Sequence, residues 1–131
     1  MQIVSLYASI LALVFVTLSV RTLRMRRDLK IAIGDAGNQK MLRAMRVHAN
    51  FAEYVPLSVL LLLLAEMSGA YPWFLHALGA SLVAGRASHA YGVSQVRERY
   101  GFRIFGMAMT FTVIITAAAY LLYSCGVKSP G

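Results

Sequence analysis

Residues 42–65 read LRAMRVHANFAEYVPLSVLLLLLA, a polar and charged half that gives way to a nearly pure apolar run from Val55 to Ala65. As a helix rising about 1.5 Å per residue, such a stretch is long enough to cross the ~30 Å hydrocarbon core of a bilayer. Working outward, three further stretches of similar length and character occur at 3–20, 73–93 and 104–123. Together the four occupy most of the 131 residues. The composition agrees: 59% of residues are hydrophobic and the mean hydropathy is +0.64, more apolar side chain than so short a chain hides in one water-soluble core. The connections are short, with no Ser/Pro-rich linker, low-complexity run or internal repeat. The sequence predicts one all-α domain over residues 1–131, a multi-pass bundle of four membrane helices.

Charge placement orients that bundle. The first stretch has no Lys or Arg before Arg21, whereas a secretory signal carries its positive charge ahead of the apolar run, so it reads as a retained span. Arg21, Arg24, Arg26, Arg27 and Lys30 follow span one, and Arg97, Arg99 and Arg103 lie between spans three and four. The connection from Met67 to Tyr71 is uncharged. The positive-inside rule therefore places both basic connections in the cytoplasm and both termini outside. The formal charge of +8 flanks spans rather than lining one exposed helix face, which argues against a nucleic-acid partner and for membrane lipids. Cys125 is the lone cysteine, which excludes an internal disulfide. Asp35 or Asn38 is expected to cap the second helix.

The polar half of span two carries the chemistry. Arg43, Arg46, Asn50 and Glu53 follow steps of three, four and three along one stripe. Arg43 and Arg46 can snorkel to the headgroups on their long stems. Glu53 cannot, because it lies ten residues beyond Arg43, ~15 Å deeper. An ionised carboxylate in lipid costs roughly 2.5–3.5 kcal/mol even on a lenient scale, so Glu53 should face a partner or a polar cavity. Arg86 of span three reaches a similar depth, with His89 one turn nearer the cytoplasm, and an ion pair or shared network between Glu53 and Arg86 is expected. The plainer alternative is mutual neutralisation with His89 as a packing residue. Span three also has a run of small residues, Ala77, Ala80, Ser81, Ala84, Ala87 and Ser88, that suits close helix approach. Glu66 and His76, at the uncharged end, read as interfacial. Alone, Arg103 is a topology anchor. With the deeper polar residues it outlines a cavity suited to a small anion bearing carboxylates or a thiolate. The histidines lie on different segments or at opposite faces, so no metal set is evident.

The stretch Arg46-Val47-His48-Ala49-Asn50-Phe51-Ala52-Glu53-Tyr54-Val55-Pro56 resembles the signature of the membrane-associated proteins in eicosanoid and glutathione metabolism (MAPEG). Gly85-Arg86-Ala87-Ser88-His89-Ala90-Tyr91-Gly92 and Arg103-Ile104-Phe105-Gly106-Met107 resemble that family's third and fourth helices, and the short loops are most similar to its bacterial branch. The resemblance implies a homotrimer in a bacterial inner membrane, with glutathione as co-substrate bound between subunits in the cytoplasmic half. By position, Arg46, Asn50 and Glu53 would hold the glutathione backbone, with Arg24 or Arg26, Arg86 and His89 nearby. Arg103 matches the family's thiolate-stabilising arginine. The implied activity is a glutathione-dependent transferase or peroxidase acting on hydrophobic electrophiles or lipid hydroperoxides. The sequence departs from several animal enzymes at Ala49, where a second arginine occurs, and at Val93 and Met107, where aromatic residues occur. A non-catalytic lipid-binding or scaffold member of the family is the alternative. A small multidrug exporter is a third reading, but such exporters resemble one another in a first-span glutamate, and residues 1–20 hold no carboxylate.

Overall fold

The computed structural model describes residues 2–128; Met1 and residues 129–131 lie outside them. Four helices make up the fold: α1 Gln2–Leu29, α2 Gln39–Met67, α3 Pro72–Ser94 and α4 Tyr100–Lys128. Each contains one of the stretches singled out by hydropathy. Helices α1, α2 and α4 are long and apolar enough to cross a membrane. The 23 residues of α3 rise ~34 Å, but His76, Arg86 and His89 lower its apolarity. Helical hydrogen bonding satisfies the backbone without water, which is why an open chain in lipid takes this form.

The helices run beyond the expected spans at the basic end. α1 continues through Arg21, Arg24, Arg26 and Arg27 to Leu29, because leaving the hydrocarbon does not end a helix. The turn that does end it, residues 30–38, places Lys30, Gly34, Ala36 and Gly37 at positive φ. Asn38 then caps α2, its Oδ1 accepting from Met41 N at 3.0 Å, while Asp35 Oδ1 accepts from Gly37 N within the turn.

Neighbouring helices are antiparallel. At the uncharged end, the Glu66 carboxylate accepts from Ile3 N at 3.0 Å and Val4 N at 3.3 Å, satisfying donors in the first turn of α1. Tyr7 Oη and His76 Nδ1 lie 3.0 Å apart there. At the basic end, Arg21 donates to Ser94 Oγ at 2.8 Å and Arg43 to Val93 O at 3.3 Å. The starts of α1 and α3 and the ends of α2 and α4 therefore share one end, opposite the arginine-rich one.

The core is built by seven-residue repeats. Val4, Leu11 and Leu18 of α1 pack with Val47, Phe51, Val55 and Leu62 of α2, Leu75 and Leu82 of α3, and Val113 and Ala117 of α4. Among the described residues no Cα of α1 comes within 8 Å of one in α4, whereas both helices approach α2 and α3. α3 and α4 come into backbone contact at glycines: a Cβ on Gly106 would stand 2.5 Å from Gly85 O and 2.6 Å from His89 N. Of the small residues of α3, Ala77, Ala80, Ala84 and Ala87 lie on its exposed side in the single chain, and Ser81 and Ser88 are half-buried. Within the chain the α3–α4 contact is made by glycine, because backbone contact leaves no room for even one methyl group.

Candidate functional site

At the basic end, α2, α3 and α4 enclose a cavity of about 150 Å³ lined by Arg43, Arg46, Asn50, His89, Glu98 and Arg103, together with Gln39, Leu42 and Val93. Arg46 and Asn50 share a face of α2 one turn apart. His89 is 5% exposed and sits where α3 meets α4 at Gly106. Arg103, in the first turn of α4, has a half-exposed side chain. Four of the residues expected in the site, Arg46, Asn50, His89 and Arg103, thus converge on one cavity.

Arg86 stands behind this cavity rather than in it. Only 2% exposed, it donates from Nη1 to Asn50 Oδ1 at 2.6 Å and from Nη2 to Gly106 O at 3.5 Å and Met107 Sδ at 3.4 Å. Its Nε has no hydrogen-bond partner among the described residues, and its guanidinium carbon lies 5.9 Å from the Tyr54 ring centroid. A buried guanidinium is thus held by neutral acceptors, and it fixes the Asn50 amide that faces the cavity.

The expected Glu53–Arg86 pairing is not found within the chain. Glu53 is exposed, and among the described residues it forms no ion pair. The reason is helical drift: over ten residues at about 100° each, the stripe from Arg43 to Glu53 rotates by about 80°. Arg43 therefore faces the bundle interior, Asn50 reaches Arg86, and Glu53 points out.

Arg24 and Arg26 lie elsewhere. Arg24 is exposed and borders a recess with Arg21, Asp28 and Lys40. Arg26 donates to Gly34 O at 2.9 Å and borders a separate recess of about 560 Å³ between α1 and α2, with Phe15, Ser19 and His48. There His48 Nε2 is 2.9 Å from Ser19 Oγ and its ring stacks on Phe15 at 4.9 Å.

Sequence reading missed Glu98. Its Oε1 accepts from Arg103 Nη1 at 2.7 Å and its Oε2 lies 3.5 Å from Arg43 Nη1. Burial pushes its carboxyl pKa up, but the hydrogen bonds and charges of Arg103 and Arg43 outweigh that and hold it below the usual range. The available signal was an acid between Arg97 and Arg99 in an otherwise basic connection.

The profile of the MAPEG family matches residues 4–123, which takes in part or all of each helix and every residue of the cavity. Inner membrane protein YecN of Escherichia coli strain K12 is 35% identical over 111 residues, covering 85% of this chain and 83% of that protein. The protein of the same name from Escherichia coli O6:H1 strain CFT073 gives the same figures. With the match running from the first helix to the last, this four-helix integral membrane protein belongs to the MAPEG family.

Proposed function

We propose that the protein binds glutathione at the basic end of a homotrimer in a bacterial inner membrane and uses its thiolate on a hydrophobic electrophile or lipid hydroperoxide. The observation that carries this reading is the convergence of Arg46, Asn50, His89 and Arg103 on one cavity in a MAPEG chain. Arg46 offers a fork of donors to a carboxylate and Asn50, held by Arg86, an amide to a peptide group. Arg103 supplies a permanent positive charge that favours thiolate over thiol, and the thiolate is the nucleophile. In transfer, the sulfur forms a bond to the electrophilic carbon and the displaced electron pair leaves with the leaving group or takes a proton. In peroxide reduction, the sulfur takes the distal oxygen as the O–O bond breaks, the alkoxide leaves and takes a proton to give the alcohol, and a second thiol then attacks the sulfenic sulfur to yield disulfide and water. Hydrophobic acceptors reach such a site from the bilayer.

Two features support an intersubunit site. Arg26 and His48 border a recess separate from the cavity, so a neighbouring copy brings both sets together. Glu53, outward at its depth, also gains surroundings from a neighbour. A second reading, lipid binding without catalysis, is favoured by an apolar groove of about 290 Å³ lined by Leu11, Phe15, Phe51, Val55 and Pro56 among others. The exporter reading has no ground in a chain of this family.

The test uses purified protein in detergent. Its mass, corrected for bound detergent, is expected to be that of three chains. Ultraviolet thiolate absorbance, titrated with glutathione across pH, should show a bound thiol of lowered pKa in the wild type. Arg103→Ala should raise that pKa, each unit being about 1.4 kcal/mol of lost thiolate stabilisation, with a smaller change in affinity. Failure of the wild type to bind any low-molecular-weight thiol would refute the catalytic reading in favour of lipid binding.

A further inference from the structure

Among the cavity-lining residues Glu98 is the single acid, and it is placed with more care than a surface acid needs. It stands in the connection 95–99 between α3 and α4, where a side chain is free to turn to water. Instead its side chain is only 10% exposed, against 50% for its partner Arg103. The connection folds back to put it there. Arg99 N donates to Gly92 O at 3.3 Å, and Phe102 N and Arg103 N both donate to Arg99 O. Gly92 permits this contact, since a Cβ there would stand 2.8 Å from Arg103 N and 2.9 Å from Arg99 O. The fold-back thus presents the carboxylate to two arginines, one oxygen to each, at the mouth of a cavity whose other polar groups are neutral or positive.

The arginine assigned to the ligand's negative charge is therefore already engaged by an anion of the protein's own. We propose that Glu98 is the resident anion of this site: its carboxylate holds the anion position on Arg103 until a ligand anion exchanges with it. The identity of that ligand anion, a glutathione thiolate or carboxylate, rests on the function proposed above; the exchange itself does not. Glu98 acts through Arg103 and is a positioning residue. Unliganded, it keeps the arginine head at the cavity mouth and neutralises part of a dense positive cluster. On exchange, the ligand gains Arg103 only by displacing a carboxylate, so its net affinity is lowered by the strength of the Glu98–Arg103 pair. Glu98 remains near Arg43 after release, because its second oxygen has a separate partner.

The test compares wild type with Glu98→Gln, which keeps the shape and removes the charge, as full chains in detergent. Sulfate is the first probe, read as thermal stabilisation at matched ionic strength against chloride. Glu98→Gln is expected to reach half-maximal stabilisation at roughly two- to fivefold lower sulfate, the scale of a half-exposed ion pair. A purely structural Glu98 would shift the melting temperature equally at every sulfate concentration. Identical sulfate dependence in the two proteins, including no response in either, overturns the exchange. Should Glu98→Gln fail to fold, wild type alone decides: amide exchange in residues 95–99 should rise at saturating sulfate, and unchanged protection overturns the proposal. Glutathione is the second probe, with roughly two- to fivefold tighter binding and a lower bound-thiol pKa expected in Glu98→Gln. Separation of the sulfate curves without glutathione binding to either protein would refute the thiol reading and leave the exchange standing. Unchanged sulfate curves with glutathione bound would do the reverse.

Discussion

Asn50→Ala tests how the buried arginine is held. Arg86 is 2% exposed, so its charge has left water, and its shortest hydrogen bond is the 2.6 Å contact with Asn50 Oδ1. The other acceptors, Gly106 O at 3.5 Å and Met107 Sδ at 3.4 Å, are long or weak, and Nε has no partner among the described residues. Hydrogen bonds to charged groups contribute about 1.5–3 kcal/mol, and the remaining contacts cannot absorb the loss. Asn50→Ala should therefore destabilise the folded protein by about 2–3 kcal/mol. Arg86→Met, which keeps much of the stem but removes the charge, leaves only the Asn50 amide unpaired and should cost less. The double variant should be more stable than the sum of the two losses predicts, with a coupling of about 1–3 kcal/mol. Glu53, pointing away, should show coupling to Arg86 within about 0.5 kcal/mol of zero. Denaturation in mixed micelles measures all of these. Additivity of Asn50 and Arg86, or stronger coupling of Arg86 to Glu53 than to Asn50, would refute the arrangement.

Gly106→Ala should lower stability by about 1–3 kcal/mol through overpacking, because its Cβ would meet the backbone of Gly85 and His89. Gly126→Ala, with open space around the added carbon, should stay within about 0.5 kcal/mol of wild type in the same denaturation assay. The lowered pKa of Glu98 fixes a sign: its contribution to stability is fully present above the ordinary value of 4.5 and is lost as pH falls through the depressed folded value. Between about pH 6 and pH 3, wild type should therefore lose more stability than Glu98→Gln; parallel curves would show that the arginines do not hold the carboxylate. Finally, a reporter fused at Pro130, outside the described residues, should report a C-terminus outside the cytoplasm. A cytoplasmic signal would invert the orientation assigned from the basic connections.

The four helices were legible because length and apolarity are recorded residue by residue along the chain. Their ends were less so: hydropathy marks where α1 leaves the hydrocarbon near Val20, whereas the helix continues to Leu29, stopped only by backbone geometry in residues 30–38. Within the site, depth was legible and direction was not. Counting inward from the cytoplasmic boundary put Asn50, Glu53, Arg86 and His89 at comparable levels, and three of these four do lie in or against one cavity wall. A helix also rotates as it deepens, and the accumulated turn carried Glu53 off the face that Arg43 and Asn50 share.

Charge matching compounded that error. A buried arginine at the depth of a carboxylate invites an ion pair, yet the structure gives Arg86 an amide, a carbonyl and a thioether. Meanwhile the carboxylate that does bind arginine, Glu98, reaches Arg43 across 55 positions of sequence through a fold-back that depends on the missing side chain of Gly92. The two arrangements have one consequence together. Pairing Arg86 with Glu53 would have cancelled the positive potential at the base of the cavity with a fixed, buried anion. Neutral acceptors leave that potential in place, while the single acid among the lining residues, Glu98, engages the half-exposed Arg103, the partner easiest to exchange. The site is thus charged so that an incoming anion meets its competitor at the entrance and uncompensated positive charge behind it.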